Sequence, residues 1–251
     1  MKEPNFLKFD FRENHLYLLL LFFFLIISCY HLSSGFYMSS DSHRFSRWAD
    51  DLIRLNFNLY DFFSIEKASH RPPLFFFSVP VILISLCKVI FGNEWQFAFL
   101  LLNLVFLLFS LIFLVKSLLL IGVKPIIISL TLPLIIISVD VLTWPRYILS
   151  DMSYAFLVVM TTYSITKGII NDKINYFEIF LIIFLLLISR PSSIPVIFAI
   201  CFFIIISKFQ IFSIQKNILF FVLIIFISIP FILSLVYLLI DTNFADIAKV
   251  D

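Results

Sequence analysis

Residues 71–92 read RPPLFFFSVPVILISLCKVIFG, and whether this stretch crosses a membrane decides how every later segment is oriented. It is apolar enough to span, but Pro80 falls in its middle and Lys88 near its end. A proline inside a helix removes a backbone hydrogen bond and kinks the axis, and an ammonium at membrane depth is costly. Both features suit a bent helix at the interface better than a plain span.

The charges on either side point the same way. Apolar runs occupy 16–32, 73–91, 97–115, 125–141, 152–166, 176–189, 192–207 and 218–240, to be read against the roughly 20 helical residues that cross a hydrocarbon core of about 30 Å. Lys2, Lys8 and Arg12 precede the first run and favour a cytoplasmic N-terminus. If 73–91 crosses, Lys116, Lys124, Lys167, Lys173, Lys208 and Lys216 fall outside, and only Arg146, Arg190 and Lys249 fall inside. That contradicts the excess of Lys and Arg found in cytoplasmic loops. If 73–91 dips into the outer leaflet and returns, the same six lysines become cytoplasmic. Trp48, Trp95 and Trp144 then all lie on the outer side, where indole rings favour the headgroup layer. The expected architecture is all-α and polytopic, with about seven transmembrane helices. Juxtamembrane amphipathic helices fill the first outer loop, 33–95, and residues 1–251 form a single transmembrane domain. The first apolar run follows MKEPNFLKFDFREN and precedes no small-residue cleavage site, so it reads as a retained signal anchor.

Composition agrees and removes other classes. The chain is 62 % hydrophobic and 14 % charged, with 34 Phe among 251 residues, which no water-exposed surface can be made from. Net charge is +2 and the Lys and Arg are scattered singly, leaving no basic stripe for nucleic acid. Cys29, Cys87 and Cys201 each sit alone in apolar runs, the pattern of small buried or lipid-facing residues rather than of a disulfide framework or metal site. The richness in Phe, Ile, Leu and Lys is that of an AT-rich bacterial genome, and the expected location is the bacterial plasma membrane.

The charged residues of the outer side are the candidate functional groups. SSDSHRFSRWADDLIRL, residues 39–55, repeats Phe45, Trp48, Leu52 and Leu55 at three- and four-residue spacing, as an amphipathic helix on the membrane surface does. Ser40 or Asp41 is placed to cap it. Asp41 therefore reads two ways: as that cap, or as a carboxylate facing a cleft and able to act as a general base. Arg47, Asp50, Asp51 and Arg54 read as a solvated face with pairs inside the helix. Arg71, before two prolines, is suited to bidentate contact with a phosphate, or simply to anchoring in the headgroups. Arg146 and Asp151 in WPRYILSDMSY and Arg190 in LISRPSS fall at outer ends of spans. Together with Arg44 they outline an outward-facing polar site.

DSHRF at 41–45, RPPLFFF and VIFG within 71–92, and PRYILSD at 145–151 follow an N-terminal span in this order. This succession resembles the membrane-embedded GT-C-fold glycosyltransferases, among them the protein O-mannosyltransferases and the bacterial aminoarabinose lipid A transferases. It covers roughly residues 15–210. The resemblance implies transfer of a sugar from a polyprenyl-phosphate donor to a glycan, lipid or protein acceptor on the outer face. By position, Asp41 would activate the acceptor, Arg71 would hold the lipid phosphate, and Asp151 would shape the site. Arg44, Arg146 and Arg190 would support the leaving phosphate. No metal is called for. FGNEWQFAF, residues 91–99, carries Glu94 and Gln96 where such enzymes often place an Arg. They also continue well beyond 251 residues, so the chain reads as an N-terminal part. Two other readings stand beside this one: a transporter or flippase of lipid-linked glycans, and a catalytically inactive, truncated membrane protein.

Overall fold

The computed structural model describes residues 13–69, 74–171 and 174–208. Among them there are ten α-helices, three short 3-10 segments and no strand, apart from an isolated parallel bridge between Tyr37 and Tyr147. The chain divides into two compact units, Met1–Arg190 and Pro191–Asp251. The described part of the second unit is mainly one helix, α10 (Ser193–Lys208). All other elements belong to the first.

Among the described residues three helical stretches are long and apolar enough to cross a membrane: Asn14–Ser34, Phe75–Leu120 and Asp151–Ile170. A fourth arises if Pro125–Ile136 and Asp140–Arg146, bent by 54°, are one broken span. This is a membrane-embedded helical protein. The expected run 176–189 yields α9 (Tyr176–Leu187), whose 12 residues reach about 18 Å, too short to cross alone. The run 218–240 and Arg71 lie outside the described residues.

α1 (Glu13–Ser34) has 22 residues and ends where Gly35 takes φ +71, so that the Gly35 N–H reaches the His31 carbonyl at 2.9 Å. A left-handed residue just past a helix is the usual way to satisfy its last carbonyls, and glycine adopts it without steric cost. Leu18, Phe22 and Leu25 form an exposed apolar stripe on α1, as Phe97, Leu101, Val105 and Phe109 do on α5 (Trp95–Leu120). Such stripes suit contact with lipid.

The 46-residue stretch Phe75–Leu120 would be about 69 Å long as one straight helix, more than twice a hydrocarbon core. It is broken at Gly92, which sits at φ +54 between α4 (Ser78–Phe91) and α5. α4 alone has 14 residues, about 21 Å.

α4 is covered by α2 (Ser40–Arg54). Phe45, Trp48, Ala49 and Leu52 of α2 share a buried cluster with Val81, Ile84 and Cys87 of α4 and Phe62 of α3 (Leu59–Ser69). The amphipathic helix expected to lie on lipid therefore has its apolar face on protein. Its cap also differs: Ser39, not Ser40 or Asp41, is the N-cap, and it exchanges hydrogen bonds with Ser42 in a reciprocal capping box. At the other end Asn56 and Phe57 are both left-handed (φ +51 and +60). Their N–H groups return to Ile53 and Leu52 carbonyls at 2.9 and 3.0 Å, which is a Schellman closure. Asn58 then opens α3 by accepting from Tyr60 N and Asp61 N.

Asp50 was expected on a solvated face, paired within the helix. It is exposed, but its partner is Lys88 of α4 at 2.6 Å; the same ammonium donates to Ser46 O and Ser46 Oγ at 3.0 and 2.8 Å and lies 4.8 Å from the Trp95 ring. Lys88 is thus no stray charge in an apolar run. Asp51 and Arg54 do pair within the helix, at 3.3 Å.

Two measurements check this layout. Single cysteines at the exposed Tyr60 and Asn93, in a chain lacking Cys29, Cys87 and Cys201, should be labelled from one side of the membrane, and one at Lys124 from the other; labelling of Asn93 and Lys124 from one side would overturn the arrangement. Trp48→Ala should cost about 3 to 5 kcal/mol in denaturant unfolding in detergent, whereas Arg47→Ala on the opposite face should stay within about 0.5 kcal/mol.

Candidate functional site

Four helix ends meet at one end of the first unit. The Tyr37 N–H donates to the Arg146 carbonyl at 2.8 Å, and the Tyr37 and Tyr147 rings stand edge to face at 4.9 Å. This joins the residues after α1 to those before α8 (Asp151–Ile170). The bridge is parallel, so both chains leave it in the same direction. Asp41 lies four residues beyond Tyr37, and Asp151 four beyond Tyr147.

Arg146 fastens the junction. Its Nε donates to Gly35 O and its Nη2 to Ser34 O, both at 3.0 Å. A guanidinium on the terminal carbonyls of α1 satisfies groups that have no helical partner and opposes the negative end of the helix dipole. Arg146, expected to support a phosphate, thus has two of its donors engaged at the end of α1.

Two side chains that the sequence did not single out hold the same segment from below. Asn103, buried in α5, donates through Nδ2 to Pro145 O and Tyr147 O, each at 3.1 Å. His31, fully buried in α1, reaches Val141 O at 3.1 Å through Nε2, which must carry the ring proton to do so. Non-helical backbone at membrane depth is tolerated only when its polar groups are satisfied within the protein. The signal was present for Asn103, an amide well inside an apolar helix. His31 offered less, since it sits at the end of its run.

Asp151 opens α8, where a carboxylate favours the positive end of the dipole. Its Oδ1 pairs with Nη1 of Arg190, from the residues just past α9. The Asp151 side chain is 16 % exposed and Arg190 is 38 % exposed, so the pair stands at a rim with the carboxylate on the inner side. The Val79 N–H donates to Ile188 O at 3.2 Å, bringing the start of α4 to the same end.

Asp41 and Arg44 pair at 3.5 Å on α2 with more than half of each side chain exposed. Asp41 is therefore open to solvent, and the capping duty that competed for it belongs to Ser39. Of the six candidates, Asp151 and Arg190 are in contact, Asp41 and Arg44 are in contact, Arg146 is committed to α1, and Arg71 lies outside the described residues. Among the described residues no three His, Cys, Asp or Glu side chains gather as a metal site. No family model, curated protein or solved structure matches the chain.

Asp151 and Arg190 should be energetically coupled. In a double-mutant cycle with Asp151→Asn and Arg190→Gln, each single change should destabilise more than the pair does relative to the other, with a coupling of about 0.5 to 3 kcal/mol by denaturant unfolding. Additive costs would make the contact incidental.

Proposed function

We propose that the protein is a GT-C-like membrane glycosyltransferase that takes a sugar from a polyprenyl-phosphate donor. The observation that carries this reading is the parallel Tyr37–Tyr147 bridge, which starts two carboxylate-bearing helices, each with an arginine beside its acid, at one end of an apolar helical unit. In this reading that end faces outside the bacterial plasma membrane. On the transmembrane reading of the apolar runs, residues 1–251 make about seven spans.

Asp41 takes the proton from an acceptor hydroxyl, of a glycan, lipid or protein, as the acceptor oxygen bonds to the anomeric carbon of the sugar. The bond from that carbon to the phosphate oxygen breaks, and polyprenyl phosphate leaves with the electron pair. Charge grows on the phosphate in this step, and donors fixed around it lower the barrier. Arg44 and Arg71 supply those donors, and Asp151 holds Arg190 in place at the rim. An exposed Asp41 suits this role because the acceptor must reach it from the aqueous side.

A second reading, transport of the lipid-linked glycan, is favoured by the 54° break between Pro125–Ile136 and Asp140–Arg146. Broken helices with polar side chains at the break are a common construction for substrate paths in transporters. The two readings separate in reconstituted vesicles: transfer labels an acceptor with sugar, whereas transport moves the intact donor between leaflets.

Asp41→Asn should lower sugar transfer about 10²-fold or more, with binding of a fluorescent polyprenyl-phosphate sugar unchanged. Since Ser39 caps the helix, folding should be untouched. Unchanged turnover in Asp41→Asn would remove the residue from the chemistry.

A further inference from the structure

The opposite end of α5 and α8 carries a second arrangement that the catalytic reading does not use. Phe113 of α5 and Tyr163 of α8 are stacked, with centroids 5.1 Å apart and planes at 29°. Lys116 Nζ lies over the Phe113 ring at 6.0 Å, and Lys167 Nζ over the Tyr163 ring at 5.8 Å. Two ammonium groups from different helices are therefore gathered around one ring pair. Among the described residues no ion pair joins either lysine to a carboxylate. Glu178, the acid at the start of α9, is engaged by Ser164 Oγ at 2.6 Å and by Asn175 Nδ2 at 3.3 Å.

Below the lysines the aromatic contacts continue into the apolar middle: Phe113 to Phe156 at 6.2 Å, Phe109 to Phe156 at 6.5 Å and Phe106 to Phe156 at 5.3 Å. Phe109 is 45 % exposed. We propose that Lys116 and Lys167 bind the phosphate of an anionic membrane phospholipid whose acyl chain lies along this aromatic column. The two ammonium groups supply the charge such a phosphate needs, and the rings that continue inward from them, with Phe109 exposed, supply apolar surface for the chain. An ammonium over an aromatic face is held in place while its other N–H bonds stay directed outward. A free phosphate would use the cations but not the column, which is why the lipid is the ligand. The helix dipole favours Lys167 at the end of α8 in any case, but it does not bring a second lysine from α5 to the same ring pair.

The test uses the full chain in phosphatidylcholine vesicles with spin-labelled phosphatidylglycerol, reading the motionally restricted fraction to obtain association relative to labelled phosphatidylcholine. The parent should prefer phosphatidylglycerol. Lys116→Gln and Lys167→Gln should each lower that preference about fivefold, the scale for one basic residue at an anionic surface, and the double variant should abolish it. Lys124→Gln, on a nearby loop but over neither ring, should lower it less than either of those changes does, and Lys116→Arg with Lys167→Arg should retain it. Excess glycerol phosphate should not displace the lipid. The proposal is overturned if the parent shows no preference, if Lys124→Gln is as damaging as the other two, or if glycerol phosphate competes.

Discussion

Wherever a chain stops being helical inside apolar surroundings, its freed backbone groups must find partners within the protein, because no solvent is there to supply them. In this molecule the constraint falls on residues 141–147, from the last residues of the bent α6–α7 pair, Pro125–Ile136 and Val139–Thr143, to the turn that leads into α8. The carbonyls of Val141, Pro145 and Tyr147 receive His31 and Asn103, while Arg146 turns the other way and closes the end of α1. Three elements distant in sequence are thereby locked together by side chain to backbone bonds. The Tyr37–Tyr147 bridge, and with it the starting points of α2 and α8, depends on that lock. His31 Nδ1 and Asn103 Oδ1 are buried there without a hydrogen-bond partner among the described residues.

The attachment of α2 to α4 combines two kinds of force, and their magnitudes assign them different jobs. Burying a large apolar side chain contributes about 1.5 to 3 kcal/mol, and Phe45, Trp48 and Leu52 are each at most 6 % exposed. An ion pair with one partner half exposed contributes about 0 to 1 kcal/mol, and Asp50 is 53 % exposed. The apolar face therefore holds α2 in place. The Lys88 contacts with Ser46 and Asp50 fix how far along α4 it sits, since a shift of one turn would strand a largely buried ammonium.

These distinctions explain which parts were legible in the sequence. Periodicity in 45, 48 and 52 revealed that α2 has an apolar face, but it carries no information on whether lipid or protein covers that face. SSDS offers several capping residues in a row, and only the reciprocal bond between Ser39 and Ser42 selects among them. Lys88 was visible as an anomaly; its partners, 38 and 42 residues away, were not. The likeness of 41–45 and 145–151 to one family's motifs brought Asp41 and Asp151 forward together, whereas the separation of roles among the arginines followed from hydrogen bonds over 111 or more residues. Span number was the least legible feature, because runs of apolar residues continue across helix breaks such as Gly92 that hydropathy does not register.

The direction of the chain through the apolar unit follows from the same contacts. α1 ends, α5 begins its third turn at Asn103, α8 begins and α9 ends within one connected set of bonds around 144–147 and 188–190. The residues between α1 and α5 thus pack within the same unit, sharing a buried cluster with Ala98 and Phe99 near the start of α5 and with Ile148 before α8. From Asn103 to Lys116, and from Asp151 to Lys167, the two helices run parallel for about 20 and 24 Å. Allowing for the reach of lysine side chains, that spacing matches a hydrocarbon core of about 30 Å. One polar layer is then built of directed hydrogen bonds that fix a constellation of charges. The other consists of cations held over ring faces, a geometry that tolerates the motion of lipid headgroups.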